Sequence, residues 1–329
     1  MRADSYYPGM KGQSVKWYPD DLVIAPPTAG KYIFADGNQT SSGAGNSWED
    51  SYSTIQAAVD SAARGSQIMV APVATNGYYS ENVIIGDGTS ATEYALEGLH
   101  LMGVTNALKN VRIKASAGTT LRPYGSLAGV SVAGVCLSVC CSGIEVSNLA
   151  FDAASTYDGV YWGDGGRFTT GAYTGQSDAQ NGYIHNCTFM YGYSGIYYDG
   201  CSNDQLCENN LFYKQADQGI YIGPGALQHS SRVRVRNNEF NGCENYGVYI
   251  YSTANTKDIM IGPFNVFKDQ LHGTTAMTAS VYSLSDTPTN AVFGNWHATT
   301  TMMDLGTHDI ASGNFRGKDG ATEEYVAED

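Results

Sequence analysis

Five acidic residues in the middle of the chain are candidates for cleaving a glycosidic bond: Asp152, Asp158, Asp164, Asp199 and Glu208. Such cleavage needs two carboxyl groups, because one must donate a proton while the other activates water or attacks the sugar. No short sequence pattern marks such a pair. The residue types therefore define a pool of candidates, and no residue is assigned a catalytic role.

The segment from Tyr157 to Tyr173 is rich in glycine and contains Trp162, Phe168 and Tyr173. Aromatic rings on the flank of a β-structure can stack on sugar rings, so these three residues are the best candidates for contact with a glycan. A loop that packs on its own fold, or on a neighbouring subunit, would have the same composition. Both interpretations stay open.

Three arginines, Arg232, Arg234 and Arg236, alternate with valines and therefore form an outward basic stripe on one coil. Acids from other segments could lie opposite this stripe, namely Asp204, Glu208, Glu239 and Asp258. Ion pairing within the protein and contact with an acidic partner explain the stripe as well as catalysis does.

The sequence indicates no metal site and no cofactor. Its seven cysteines form no Cys-x-x-Cys pair, and five histidines lie far apart without ligand spacing, namely His185, His229, His272, His297 and His308. Cys187 has an inward-looking strand position, where a free cysteine behaves as a small hydrophobe. We expect mostly reduced, buried thiols, with Cys201–Cys207 or Cys140–Cys141 as alternatives for oxidation.

These residues must be positioned by a repeat. Four segments share a template in which an asparagine precedes a phenylalanine by three places and a glycine followed by a β-branched residue comes later. The asparagines are separated by 38, 23 and 28 residues and the glycines by 36, 24 and 28, so the landmarks move together. A period of this length, with strands and no helical pattern, indicates a solenoid. The four copies begin at Asn148, Asn186, Asn209 and Asn237.

Composition excludes several classes of partner. The net charge is −14, so the chain has no excess of Lys and Arg with which to neutralise nucleic acid or an anionic membrane. No apolar stretch is long enough to span a bilayer, and the N-terminus lacks the apolar core of a signal peptide. We expect neither a nucleic-acid nor a membrane partner.

The ends of the chain differ from its middle. Residues 1–30 read as an extended anchoring arm whose aromatic residues need a surface to cover: Tyr6, Tyr7, Trp17 and Tyr18. Residues 31–72 predict an N-terminal cap, with a capping box at Ser53 and Gln56 ahead of a short amphipathic helix. Residues 73–300 form the repeated body, and residues 301–329 form a C-terminal cap with a solvated acidic tail.

The cap and the repeats together resemble the right-handed parallel β-helix of pectin-lyase-like proteins. The cap residues are 32–38, Ser47-Trp48, 54–60 and 68–72, and the similarity extends over about residues 31–300. The resemblance implies an all-β, single-stranded parallel β-helix with a short N-terminal capping helix. It also implies that Asn148, Asn186, Asn209 and Asn237 stack from coil to coil and cap backbone groups at a turn.

Members of this family include pectate lyases, polygalacturonases, bacteriophage tailspike depolymerases and inert virion proteins. Arg112-Ile113-Lys114 lacks the Asn-Thr-Asp, Asp-Asp and Gly-His-Gly segments that accompany a polygalacturonase site. The resemblance and the missing motifs together favour a structural protein of a bacteriophage virion, either a capsid decoration protein or a tail component. It would bind neighbouring virion subunits through its arm, plausibly as a trimer. The alternatives are a polysaccharide-degrading tailspike or lyase and a non-catalytic glycan-binding adhesin.

Overall fold

The structure is a computed structural model of the 329-residue chain. It describes residues 31–73, 77–86, 95–104, 111–114, 135–153, 158–163, 179–200, 203–223, 230–251, 256–268, 277–284, 290–298, 303–305, 310–318 and 321–325. The arm at residues 1–30, with Tyr6, Tyr7, Trp17 and Tyr18, lies outside these residues.

The strands, numbered in chain order, form three sheets. Sheet A contains β1 (Tyr32–Ala35), β2 (Gln67–Val70), β5 (His100–Gly103), β8 (Glu145–Ser147), β11 (Tyr183–His185), β14 (Leu206–Glu208), β17 (Arg234–Arg236), β20 (Met260–Ile261), β23 (Ala291–Phe293) and β26 (Ile310–Ser312). Sheet B contains β3 (Tyr79–Ser80), β6 (Val111–Lys114), β9 (Leu149–Asp152), β12 (Thr188–Met190), β15 (Leu211–Tyr213), β18 (Glu239–Asn241), β21 (Val266–Lys268), β24 (Trp296–Ala298), β27 (Phe315–Lys318) and β28 (Ala321–Tyr325). Sheet C contains β4 (Val83–Ile85), β7 (Val135–Val139), β10 (Asp158–Gly163), β13 (Ser194–Asp199), β16 (Gln218–Gly223), β19 (Tyr246–Ile250), β22 (Ala279–Ser283) and β25 (Met303–Asp304).

From β2 to β25 each coil contributes one strand to each sheet, and successive coils pair in parallel. Phe189, for example, pairs with Phe212, which in turn pairs with Phe240. The strands are short because the chain must turn three times in a coil, and the sheets close around one hydrophobic core. The prediction of an all-β parallel β-helix is confirmed.

The phenylalanine and glycine landmarks of the repeat touch each other across coils. Phe189, Phe212, Phe240 and Phe267 stack with ring centroids 4.6–4.7 Å apart inside the solenoid. A Cβ at Gly219 would lie 2.5 Å from Cδ1 of Phe240 and 2.7 Å from the carbonyl oxygen of Gly247. The ring of each coil therefore occupies the space beside the glycine of the coil before it, which explains why the two landmarks move together.

The asparagine landmarks have a different place from the one expected. Asn148, Asn186, Asn209 and Asn237 are turn residues with left-handed backbone, at φ between 54° and 57°. Asparagine tolerates this conformation because its short polar side chain can bond locally. Asn237 Nδ2 donates to Asn209 Oδ1 at the surface, so these two side chains bond to each other. Among the described residues, neither side chain bonds to the backbone of another coil.

The backbone-capping ladder is formed one position later, by side chains that point inward. It consists of Asn210, Asn238, Asn265, Asn295 and Asn314, all buried. Asn265 Oδ1 accepts from the backbone N–H of Asn238 at 3.0 Å, and Asn265 Nδ2 donates to the carbonyl oxygen of Val235 at 2.8 Å. The predicted ladder was thus displaced by one residue, because the residue after the turn is the one that faces the core.

The N-terminal end is covered by the helix α1 (Ile55–Asp60), which buries Ile55, Ala58 and Val59. Its N-cap is Thr54, whose Oγ1 accepts from the Ala57 N–H at 3.2 Å. The N-cap thus lies one residue after the expected Ser53, and the capping box does not form because Ala57, at the third helical position, has no side-chain acceptor. The Glu81 carboxylate accepts from the first two backbone N–H groups of the helix, each at 3.0 Å. No helix among the described residues is long and apolar enough to cross a membrane.

Part of the predicted C-terminal cap and acidic tail, Ala321–Tyr325, is a strand. These residues form β28, which pairs antiparallel with β27. An antiparallel strand reverses the chain direction, so the end of sheet B is a hairpin and not a further coil.

Candidate functional site

The outer face of sheet C carries a ladder of tyrosines at one register position. Tyr161, Tyr197, Tyr221, Tyr249 and Tyr282 follow one another on five successive coils. Their consecutive ring centroids are 6.1, 4.4, 5.4 and 5.3 Å apart. Tyr161 is buried and the other four are half-buried, so the ladder runs outward to a solvent-accessible surface.

The tyrosine rings overlap only in part. Carbon atoms in contact are about 3.5 Å apart, so a centroid separation of 5.3 Å between Tyr249 and Tyr282 corresponds to a sideways offset of about 4 Å. Two further rings extend the aromatic surface, because Tyr246 lies 4.9 Å from Tyr282 and Tyr251 lies 6.2 Å from Tyr249. Parts of several ring faces, as well as ring edges and hydroxyls, are thus directed outward.

Glycines beside the ladder allow the rings to lie against the backbone. A Cβ at Gly223 would lie 2.4 Å from Cε1 of Tyr221, and one at Gly163 would lie 2.6 Å from the hydroxyl oxygen of Tyr161. Between these glycines, at the same register position, stands Asp199. Its Oδ2 accepts from the Tyr161 hydroxyl at 2.9 Å, which satisfies the buried carboxylate.

Two further carboxylates border the ladder on its other side. Asp158 accepts from the backbone N–H of Ser194 at 3.0 Å, and Asp217 accepts from Asn245 Nδ2 at 2.7 Å. The hydrogen bond from Tyr193 to Asp217, together with burial, raises the pKa of Tyr193 to about 12. Burial and neighbouring tyrosines raise the pKa of Tyr249 to about 12 as well. The phenols are therefore neutral hydrogen-bonding groups beside a row of acids.

The outer face of sheet A holds two of the predicted arginines, Arg234 and Arg236, while Arg232 precedes β17 with left-handed backbone at φ 56°. Arg232 Nε lies 2.7 Å from Asp204 Oδ1, and Arg236 Nε lies 2.6 Å from Glu208 Oε2. The Tyr183 hydroxyl also donates to Glu208. The basic stripe is thus engaged in ion pairs between coils at two of its three positions, which was one of the alternatives; Arg234 lies on β17 between them.

A cluster of His100, Glu145 and His185 lies farther along the same face. His185 Nε2 is 2.9 Å and His100 Nε2 is 3.4 Å from Glu145 Oε1, and one potential ligand atom from each of the three residues lies within 4.8 Å of the others. Burial lowers the pKa of His100, and the Glu145 carboxylate partly offsets this effect. Sequence reasoning missed the cluster because it looked for ligand spacing within one segment.

Of the predicted glycan-contact residues Trp162, Phe168 and Tyr173, the structure describes Trp162. Trp162 lies on β10 with its side chain fully buried in the core, because it faces inward next to Tyr198. It is therefore unavailable for a ligand. Phe168 and Tyr173 lie outside the described residues, as does Asp164.

The rest of the acid pool is divided among the three sheets. Asp152 is on sheet B, Asp158 and Asp199 are on sheet C, and Glu208 is on sheet A. The side chains of Arg112 and Lys114, on β6, are likewise not among those described. A single groove does not collect the predicted carboxylates.

A shallow cavity of about 500 Å³ follows the turn between sheets A and B. It is lined by the exposed turn residues Asn186, Asn209 and Asn237, with Phe264 at one end. Phe264 has 70% of its surface exposed. These asparagines are scaffold residues that also form part of an open surface.

Residues 97–283, more than half of the chain, match the family described as "Right handed beta helix region". The chain belongs to this right-handed β-helix family. The expected resemblance is therefore confirmed at the level of the family. No curated protein sequence matches the chain.

Solved structures with the same fold include glycoside hydrolases. This β-helix is similar to the native GH136 lacto-N-biosidase from Eubacterium ramulus, with 11% identity and a TM-score of 0.60 over 87% of this chain and 56% of that one. The selenomethionine derivative of that enzyme gives 10% identity and a TM-score of 0.52, over 88% and 55% of the two chains. The complex of XylC with xylose gives 12% identity and a TM-score of 0.53, over 86% and 69%.

These similarities show the fold alone. The β-helix described here also spans little more than half the length of the lacto-N-biosidase. The residues on the outer faces of this β-helix therefore determine which function is proposed for it.

A sequence signal for the tyrosine ladder was present. Tyrosine follows each glycine and β-branched pair of the repeat, as in Gly195-Ile196-Tyr197 and Gly219-Ile220-Tyr221. Because the β-branched residue faces inward, the next residue must face outward. A tyrosine at this position in all four copies of the repeat therefore predicts a column of tyrosines on the surface.

Proposed function

We propose that this protein binds a neutral polysaccharide along the outer face of sheet C. The proposal rests on one observation, the ladder of five tyrosines at one register position with carboxylates on both sides. Among the functions left open by the sequence, it corresponds to glycan binding.

The repeat of the ladder favours a polymer over a small ligand. Adjacent coils are separated by about 4.8 Å, so the same side chain is presented again and again along the solenoid axis. A sugar ring has an apolar face that can pack on an aromatic surface and hydroxyl groups that can bond to phenols. A chain of sugars can therefore use the same contact on successive tyrosines.

The charge of the face favours neutral sugars. Asp158, Asp199 and Asp217 lie within or beside the ladder. Asp158 and Asp199 are buried and bonded within the protein, so the half-buried Asp217 is the carboxylate of the three that can accept hydrogen bonds from sugar hydroxyls. The same carboxylates, together with the net charge of −14, would repel a polyuronate. Binding of a neutral glycan should therefore exceed binding of an anionic glycan of similar length.

The experiment is affinity electrophoresis of the purified chain in gels that contain either neutral polysaccharides (xylan, glucan, galactomannan) or anionic ones (polygalacturonate, alginate). We expect retardation by at least one neutral polymer and none by the anionic ones. Tyr221→Ala should weaken binding about 2- to 10-fold, the equivalent of one aromatic contact, and Tyr221→Ala with Tyr249→Ala should abolish it. Tyr251 is more exposed than Tyr221 and Tyr249, so Tyr251→Ala should fold normally and tests the aromatic surface without disturbing the core.

The matched control is Tyr213→Ala. Tyr213 is a half-buried tyrosine on sheet B beneath Lys214, away from the ladder. Equal loss of binding in this variant, or retention of binding in the double variant, would overturn the proposal. A reducing-end assay on the bound polymer separates cleavage from binding.

The virion function stays a prediction. A subunit interface is the competing use of the same tyrosine face, and it would appear as a defined oligomer that dissociates when Tyr221 and Tyr249 are replaced. That result, without polysaccharide binding, would replace the present proposal with subunit contact.

A further inference from the structure

Three potential metal ligands meet on the outer face of sheet A. His100, Glu145 and His185 are contributed by the adjacent strands β5, β8 and β11 of three successive coils. Glu145 Oε1 lies between the two imidazoles, 2.9 Å from His185 Nε2 and 3.4 Å from His100 Nε2. This face is separate from the tyrosine ladder on sheet C.

We propose that His100, Glu145 and His185 bind a divalent transition-metal ion, with Zn²⁺ as the best fit. Zinc takes imidazole nitrogen at about 2.0–2.1 Å and carboxylate oxygen at about 2.0–2.2 Å in a tetrahedral arrangement, which puts neighbouring ligand atoms about 3.3 Å apart. The two measured separations, 2.9 and 3.4 Å, lie on either side of this value. The third pair of atoms is at most 4.8 Å apart, so only a small movement of the imidazoles is needed to close the triangle.

The residues around the cluster hold the ligands in place. The Tyr183 ring stacks on the His185 imidazole with centroids 4.1 Å apart and planes at 17°. The Asn186 side-chain amide lies 3.0 Å from His185 Nδ1, on the side of the ring away from the ligand atom. Metal-binding histidines usually have such a polar partner at the second nitrogen, and an amide can serve it in either orientation.

Glu145 also differs from the other acids near this face in the basic side chain that it contacts. Asp204 pairs with Arg232 and Glu208 pairs with Arg236. Within the described residues, the ring nitrogens of the two histidines take the place of an arginine beside Glu145. A carboxylate between two imidazoles is the donor set of a three-ligand site with a further position for water or a substrate atom. The Ser147 hydroxyl, 2.8 Å from His100 Nε2, lies beside that arrangement.

The test begins with chain that has been freed of metal by dialysis against a chelator. Zn²⁺ is then titrated in competition with a chromogenic chelator, and Co²⁺ is titrated while its visible absorption is recorded. We expect one equivalent of each ion to bind, with Co²⁺ bands that report nitrogen and oxygen ligands. The described cysteines are buried, so thiolate charge-transfer bands should be absent.

Glu145→Gln and His185→Gln should each weaken Zn²⁺ binding by about 100-fold or more, since even the loss of an outer partner costs up to that much. His185 is only partly buried, so its variant should fold even where a His100 variant does not. The control is Glu239→Gln, which removes a carboxylate paired with Lys268 on sheet B and should leave binding unchanged. A folded wild-type chain that binds neither ion would show that the cluster is a hydrogen-bonded triad and would overturn the proposal. So would Glu145→Gln and His185→Gln variants that bind Zn²⁺ as tightly as the wild type.

Discussion

Replacement of His297 by phenylalanine should remove a pH-dependent weakness from the core. His297 continues the column of phenylalanine rings, with its imidazole 5.0 Å from the Phe267 ring and at 10° to it. The side chain is fully buried, and neither ring nitrogen has a hydrogen-bond partner of good geometry among the described residues. An imidazole is thus held in a position that the five preceding coils fill with phenylalanine.

The size of the effect follows from the protonation of the buried ring. Burial lowers the pKa of His297 from 6.5 to about 4, and Asn314 offsets part of this change. Because the pKa in the folded state lies below that in the unfolded state, the unfolded chain binds a proton first as the pH falls. The free energy of unfolding therefore decreases between pH 6.5 and pH 4. A shift of about 2.5 pKa units corresponds to about 3 kcal/mol.

The measurement is urea unfolding of the wild type and of His297→Phe at several pH values from 7 to 4. We expect the variant to be more stable at pH 7, since buried unpaired polar atoms cost about 1–3 kcal/mol each. Its advantage over the wild type should grow by about 3 kcal/mol as the pH falls to 4. Phe240→His, which places an imidazole at an equivalent position, should steepen the loss of stability in acid.

The reasoning would be refuted by parallel pH profiles. If the difference in unfolding free energy between His297→Phe and the wild type stays constant from pH 7 to pH 4, the imidazole does not resist protonation in the fold. Since the other titrating groups are common to both proteins, their contributions cancel in this difference.

Three further outcomes test the scaffold and its thiols. Asn265→Ala should lower the free energy of unfolding by about 2 kcal/mol, because it leaves the buried Asn238 N–H without its partner and removes one of the two hydrogen bonds to the Val235 carbonyl, whereas Asn237→Gly at the exposed turn should cost less than about 1 kcal/mol; equal costs in urea unfolding would contradict the ladder. Gly219→Ala should destabilise by about 2 kcal/mol through overpacking against Phe240, and an unchanged midpoint of thermal unfolding would argue against the ring and glycine contact. Burial raises the pKa of Cys187 to about 12, so this thiol should react with a thiol reagent at pH 8 only after unfolding; rapid labelling of Cys187 in the native chain, located by mass spectrometry, would contradict its burial.

The two proposed sites share one structural logic. Inside the solenoid, two columns repeat one kind of side chain over several coils, the phenylalanines and the buried asparagines, because successive coils present the same environment there. Outside, a column can hold whatever its function requires. The tyrosines of sheet C repeat one contact along the axis, whereas the histidines and Glu145 of sheet A come together at a single place.

Much of the fold was readable from the sequence alone. The joint movement of asparagine, phenylalanine and glycine landmarks predicted coils, because a residue that must fit the same internal environment recurs at the same point of each coil. The alternation of Arg232, Arg234 and Arg236 with valine predicted that the arginines face outward. Two of the acids expected opposite them, Asp204 and Glu208, form ion pairs with Arg232 and Arg236. A local sequence pattern is enough to predict such features because successive side chains of a strand point to opposite faces.

The position of the ladder and the composition of the sites were decided by the tertiary structure. A shift of one residue separates the exposed Asn237 from the buried Asn238, and only the left-handed turn at Asn237 determines which of the two points inward. Trp162 appeared to lie in a surface loop but faces the core, since the strand begins before it. His100 and Glu145 are 45 residues apart, yet they are neighbours across one coil boundary. Coil lengths vary along this chain, so the residues that meet on an outer face are set by the pairing of strands and not by distance along the sequence.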